Sequence, residues 1–287
     1  MEKEDFTTKE LCKTLEISRS GYYAHLSKQK CQRRRTDADL SICIQSAFYQ
    51  SRRTYGTRRL HILLAREGRS CSRRRIARLM KENDLSAIRK GRFRPRTTDS
   101  RHNHPIAPNH LLAQADTNPP APEQTWVADI TYLETGEGWH YLAGEMKLGS
   151  RRIVGWKTGL TLESTLVEGA LSRALFSSGS PPKVHHSDRG SQYAAGSFRS
   201  LLNSYGVTPS MSRRANCYDN AAMESFWATL KTECFHAGIP ATRAEADRLL
   251  FDDIETFYNP CRLHSALGYQ SPLQYEKSLK PQPIKTC

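Results

Sequence analysis

The apolar positions of this 287-residue chain change their period partway along. They recur first at helical spacing. Thr7 or Thr8 can cap a short helix carrying Leu11, Leu15 and Ile17, and a second turn opens near Ser18. Leu40, Ile42, Ile44, Ala47 and Phe48 follow at mixed helical spacing over 37–50. Between Tyr55 and Leu85, the residues Leu60, Leu63, Leu64 and Ala65 predict one short helix, which Gly68 stops. Ser72 caps another, with Ile76, Leu79 and Met80 inward and Arg73, Arg74, Arg75 and Arg78 outward. Helix, glycine-containing turn, helix is the outline of a helix-turn-helix. Four arginines without acidic partners at i+4 would be offered to a DNA groove and its phosphates; the plainer alternative is a solvated charged helix.

Residues 92–124 hold six of the fourteen prolines and few apolar residues, so they read as a linker. Beyond it the period shortens. Thr125–Glu134 is β-rich and apolar on both faces apart from Asp129. Trp139–Leu148 and Arg151–Thr158 follow as strands joined at Gly149-Ser150, which suggests an antiparallel meander. Thr161 caps a helix with Leu162, Leu166, Val167, Ala170, Leu171, Ala174 and Leu175 on one stripe, ended by Gly179 to Pro182. A short strand at Lys183–Asp188, a helix at Gly196–Tyr205, a strand at Val207–Met211 and a long helix from Asp219 to about Cys234 complete the pattern. Thr242 to Glu245 forms a capping box for a last helix that stops before Pro260. Three strands, then helix and strand in alternation, predict a layered α/β sheet.

Composition narrows the function. The formal charge of +14 lies wholly in residues 1–120, which carry 26 Lys and Arg against 12 Asp and Glu; residues 121–287 carry 17 of each. That asymmetry points to nucleic acid, the alternative being a merely soluble basic domain. The eight cysteines show no CxxC and no regular spacing, which argues against a zinc ribbon or a disulfide framework and for free thiols in a reducing cytosol. His102, His104 and His110 lack nearby cysteines and read as solvated linker. No apolar run approaches the ~18 residues of a membrane span, and no charged-then-apolar leader opens the chain, so a cytoplasmic protein is expected.

Three acids stand out by context. Asp129 lies inside an apolar strand, Asp188 ends the strand VHHSD, and Glu224 sits early in the helix DNAAMESFWATLK. A bare carboxylate in apolar surroundings is costly unless paired or metal-bound. Oxygen ligands of this kind suit Mg²⁺ or Mn²⁺, and two such ions can serve phosphoryl transfer. At 100° per residue, Asn220, Glu224 and Lys231 fall near one line of their helix, beside an apolar stripe of Met223, Phe226, Trp227 and Leu230. Taken alone, that helix reads rather as an ordinary amphipathic one with surface Glu and Lys.

The segments WVADITYL, HYLAGEM, SRRIVGW, HHSDRGSQY and SMSRRANCYDNAAMESFWATLKTE, followed by FYNPCRLHSALGYQSPLQYE, resemble the second-frame (OrfB) transposases of a large bacterial insertion-sequence family. That family shares its catalytic core with retroviral integrases. The similarity runs collinearly from about residue 40 to 276, and 35 residues separate Asp188 from Glu224, the spacing of the family's DD(35)E triad. The resemblance implies an RNase H-like mixed sheet flanked by helices, preceded by an all-α helix-turn-helix region. It implies Asp129, Asp188 and Glu224 as catalytic and metal-binding residues, two Mg²⁺ ions with Mn²⁺ able to substitute, and Lys231 as a residue that holds the DNA end. Its partners would be double-stranded DNA at the terminal inverted repeats and the target, a first-frame (OrfA) protein, and further copies of the chain when ends are paired, all at the bacterial nucleoid.

The expected boundaries are a basic helical arm over 1–36, a helix-turn-helix over 37–91, a linker over 92–124, the catalytic core over 125–235 and a helical extension over 236–287. The motifs at Asn259-Pro260, Arg262, His264, Leu267-Gly268 and Ser271-Pro272 match the family's C-terminal signature, where packing and DNA contact are equally open. One departure stands at the second hairpin: the family usually has Asp-Leu-Phe-Ser-Arg, and this chain has Lys147-Leu148-Gly149-Ser150-Arg151. That exchange leaves open a decayed copy. The function expected is metal-dependent 3′-end hydrolysis and strand transfer, with a non-catalytic DNA-binding repressor or an RNase H-like nuclease as alternatives.

Overall fold

The computed structural model describes residues 7–26, 32–89, 105–111, 121–213 and 220–279. The linker stretch 92–104 with His102 and His104, Pro119 and Pro120, Cys31, Cys217 and Cys287, and the helix start at Asp219 lie outside them. Two compact units divide near Ser86.

The first unit is all-α. It comprises α1 (Thr8–Thr14), α2 (Arg19–Leu26), α3 (Gln32–Gln50), α4 (Thr57–Arg66) and α5 (Arg73–Glu82). Thr7 and Glu10 cap α1 reciprocally. Ile44, Ala47 and Phe48 of α3, Leu60 and Leu64 of α4, and Ile76, Leu79 and Met80 of α5 are buried, as their helical spacing predicts. Gly68 follows α4 at φ +76, a left-handed turn that glycine adopts without Cβ strain. The Ser72 hydroxyl accepts from the Arg75 N–H and starts α5.

One expectation about α5 is corrected. Arg78 does have an acidic partner at i+4, since it pairs with Glu82 at 2.8 Å. Arg75 and Arg78 also both reach Asp37 of α3 at 2.7 Å. Two of the four arginines therefore help to hold α5 on α3, while Arg73 and Arg74 remain exposed.

The second unit is built on a five-stranded mixed sheet of order β3-β2-β1-β4-β5. Its strands are β1 (Thr125–Thr135), β2 (Gly138–Lys147), β3 (Ile153–Gly159), β4 (Val184–Ser187) and β5 (Thr208–Met211). The first three form the antiparallel meander, and β4 and β5 add in parallel. Crossovers run through α6 (Ser164–Ser178), then α7 (Ser191–Ala194) and α8 (Gly196–Ser204). After β5 come α9 (Ala221–Glu233), α10 (Arg243–Phe251), which continues as wider π-type turns over Asp252–Tyr258, and α11 (Pro272–Leu279).

Side-chain alternation along β1 divides the core. Trp126 and Ala128 pack with α6 and α8, on the side of Val167, Leu171 and Phe198. Val127 and Leu133 pack with Met223, Phe226 and Leu230 of α9 and with Leu250 and Ile254. No helix among the described residues is long and apolar enough to cross a membrane.

Several local expectations shift. Helix α6 begins at Ser164 rather than at Thr161, with Glu163 in the N-cap position. The chain first has to turn from the end of β3 onto the sheet face, and there the Leu162 carbonyl accepts from Gln192 Nε2. Part of the proline-rich stretch is built into the fold: Ala107 and Leu111 pack against the two core clusters, and the His110 N–H donates to Ser210 Oγ at 2.9 Å.

The C-terminal signature packs. Asn259 brackets Ile153 of β3, accepting from its N–H at 3.0 Å and donating to its carbonyl at 2.9 Å. Arg262 forks onto Glu233 at the end of α9 with two 2.6 Å bonds. Replacing Asn259 with Ala leaves buried main-chain groups of Ile153 unpaired. We expect it to cost about 1–3 kcal/mol, read as a lower urea midpoint; an unchanged midpoint would show that Asn259 does not hold β3.

Candidate metal-binding and catalytic site

The parallel register sets Val127 of β1 opposite His186 of β4. Continued two residues, it brings Asp129 level with Asp188, just past the end of β4. The Asp188 carboxylate accepts from the Gly190 N–H at 2.9 Å, which turns the chain into α7. Asp129 is half-buried in the middle of the sheet. Its carboxyl is pushed up to about 8, first by burial and then by the neighbouring charge of Asp188, with Glu224 adding a smaller effect in the same direction.

Helix α9 lays a polar line against β1. At its N-cap, Asn220 Nδ2 donates to the Ala128 carbonyl at 3.1 Å. Glu224 follows one turn on, exposed at the helix edge, with its carboxyl raised by partial burial. Trp227 Nε1 donates to Asp129 Oδ2 at 3.0 Å. Lys231, half-buried, is pulled down by burial and partly restored by the charge of Asp129. Gly144, the cross-strand partner of Asp129, makes this possible: a Cβ there would stand 2.8 Å from the Trp227 ring.

The structure thus brings Asp129 and Asp188 together and places Glu224 and Lys231 within electrostatic reach of Asp129. Among the described residues no closed group of three candidate metal ligands is formed. The donors nevertheless fit a hard divalent cation. All are carboxylate oxygens, and Asp129 is raised by its burial and then by the neighbouring charge of Asp188, a combination a cation there would offset. Sequence reasoning missed Trp227 and Asn220 as partners of β1. The signal available was the indole N–H, which needs an acceptor when the ring is buried. Arg73 and Arg74 are exposed in the first unit, whereas Arg75 and Arg78 are engaged by Asp37.

The Asp129 shift has a consequence for stability. An unfolded chain loses this proton around 3.8, and the folded chain keeps it to about 8. The stabilising contribution is complete at low pH and is lost as pH rises from about 4 towards 8. Without divalent metal, urea midpoints should fall across that window, and Asp129→Asn should flatten the fall. Parallel profiles for the two proteins would contradict the shift.

Comparison with known proteins agrees with this architecture. The integrase core domain family matches residues 119–217 and, through a second description, residues 205–272. An HTH-like domain family matches residues 34–93. The chain is 45% identical over 268 residues to the insertion element IS600 uncharacterized 31 kDa protein of Shigella sonnei, covering 93% of this chain and 97% of that one. It is 34% identical over 275 residues to the transposase InsF for insertion sequence IS3A of Escherichia coli K12, covering 95% and 94%. Among solved structures, a simian T-cell lymphotropic virus intasome matches at 16% identity and a TM-score of 0.48, over 79% of this chain and 74% of that one. The catalytic core domain of HTLV-2 integrase, solved in complex with magnesium, matches at 14% identity and a TM-score of 0.43, over 54% and 96%. A helical HTH-like unit, an RNase H-like mixed sheet and 34% identity to InsF over nearly the full length place this chain in the family of insertion-sequence transposases with an integrase core.

Proposed function

We propose that this chain cuts and joins DNA ends of an insertion sequence, with Asp129, Asp188 and Glu224 as its catalytic carboxylates. The observation that carries the reading is the level placement of Asp129 and Asp188, with the helix bearing Glu224 hydrogen-bonded to the same strand through Asn220 and Trp227. The three carboxylates would hold divalent metal, two Mg²⁺ ions with Mn²⁺ able to replace them. Bound there, the metal supplies a more acidic water and offsets charge on the phosphate under attack.

The chemistry is a pair of in-line displacements at phosphorus. In the first, a water oxygen bonds to phosphorus, the bond to the element's 3′ oxygen breaks, and a 3′-OH is freed. In the second, that hydroxyl oxygen bonds to a target phosphorus and displaces a target 3′ oxygen. Trp227 fixes the orientation of the Asp129 carboxylate, so the ligand set is arranged before DNA arrives. Lys231, a half-buried cation beside that carboxylate, meets the phosphate backbone of the bound end.

The helical unit supplies recognition of terminal repeats, with Arg73 and Arg74 reaching phosphate while Arg75 and Arg78 brace the fold. Pairing two ends calls for more than one copy of the chain, with a first-frame partner where the element encodes one, at the nucleoid. Lys147 of the altered hairpin has a partner within the fold: Glu276 of α11 accepts from Ser150 and Arg152 and lies 3.4 Å from Lys147.

The test is incubation of purified protein with labelled element ends and Mn²⁺. Wild type should nick and join, and Glu224→Gln should bind equally and do neither. Binding without cleavage by wild type would sink the enzymatic reading, and cleavage without joining would favour a nuclease. A second comparison separates the arginines. Replacing both Arg73 and Arg74 with Ala should weaken end binding without lowering the melting temperature and should reduce the salt slope by about 2. Replacing Arg78 should lower the melting temperature. The reverse pattern would place the DNA contact elsewhere on α5.

A further inference from the structure

Strand β4 is four residues long, and its ladder to β1 is a three-residue parallel register. Parallel pairing is slightly the weaker kind per residue. Yet this short ladder has to set Asp188 level with Asp129. A second tie crosses it. Glu145 of β2 and His185 of β4 are each 1% exposed, and His185 Nε2 lies 2.8 Å from Glu145 Oε2.

These two strands are not neighbours, because β1 runs between them. Adjacent strands lie about 4.8 Å apart, so the two backbones are roughly 10 Å from each other. The side chains meet over β1. Glu145 stands opposite Ala128, and His185 opposite Trp126. Ala128 is fully buried and has only a methyl group to fit beneath the bridge, and it is the residue immediately before Asp129. Phe198 and Tyr193 wall the imidazole, with ring centroids 5.4 and 6.4 Å away. By strand alternation the bridge sits on the α6 and α8 side of the sheet, and Asp129 points to the α9 side. The bridge therefore lies across the sheet from the Asp129 carboxylate.

A buried pair of this kind is not a cheap source of stability, since apolar residues of the same volume often serve as well. What it adds is a fixed length and direction across three strands. We propose that Glu145 and His185 are positioning residues, whose hydrogen bond ties β2 to β4 across β1 and sets the separation of Asp129 and Asp188 that metal binding requires. The inference rests on the reading of those two carboxylates as metal ligands.

The experiment uses the full chain and three readouts: Mn²⁺ affinity from the electron paramagnetic resonance of free Mn²⁺, the melting temperature, and the Mg²⁺ concentration that half-saturates nicking of an element end. Glu145→Met keeps the length and removes the acceptor. It should melt within a few degrees of wild type, bind Mn²⁺ about 10–100-fold more weakly and shift the Mg²⁺ half-saturation alike, as loss of an outer partner does at metal sites. Glu145→Gln keeps an acceptor and should recover most of the affinity. Should Glu145→Met not fold, the double variant Glu145→Met with His185→Leu, which leaves neither partner unpaired, carries the same expectation. Wild-type Mn²⁺ affinity in the variant that folds would overturn the proposal. So would affinity lost only in step with melting temperature, with Gln no better than Met. A wild-type chain that binds no Mn²⁺ would overturn the metal reading itself, and the proposal with it.

Discussion

Two carboxylates stand level on adjacent parallel strands, Asp129 inside β1 and Asp188 just past the end of β4, and burial of such a pair disfavours their charged forms. The raised Asp129 registers its burial first and the neighbouring charge of Asp188 second. Everything around the pair works to keep it in place. β1 is the central strand, and Asp129 is paired with Gly144 of β2. Trp227 grips one oxygen of Asp129, and Gly144 leaves the room that the indole needs. Asn220 pins the start of the same helix to the residue before Asp129. On the proposed reading, a divalent cation bound there would offset the charge of the pair.

The C-terminal segment belongs to the same scaffold. Arg262 holds the end of α9 through Glu233, and Asn259 holds the start of β3. Glu276 draws Lys147, Ser150 and Arg152 together at the β2–β3 turn. The charge carried by Lys147 is thus answered 129 positions along the chain, through contacts that no hairpin motif describes.

The fold was largely legible in the sequence because its signals are local. The β-rich run at 125–134, the helical stripe at Leu166 to Ala174 and the glycine after α4 each act within a few residues. The resemblance then named the sheet and the acids to examine. What stayed hidden are pairings between distant positions. Trp227 lies on an apolar helical stripe, which reads as core, and its acceptor is 98 residues away. Arg75 and Arg78 look free on their helix until Asp37, 38 and 41 residues earlier, is folded against them. Glu145 sits unremarked in a strand, and its partner His185 is 40 residues off, across an intervening strand. The first turn of α6 differs from the sequence expectation for a related reason: where a helix starts depends on how the preceding strand leaves the sheet.

The central claim is that the fold holds Asp129 and Asp188 close so that they can share a divalent cation. The most direct measurement is an anomalous-scattering map of crystals of the full chain grown with an element-end duplex and soaked in Mn²⁺. The account predicts a Mn²⁺ peak between the Asp129 and Asp188 carboxylates, absent from crystals of Asp129→Asn. Ordered DNA with no peak there, or Mn²⁺ held by other residues, would contradict it.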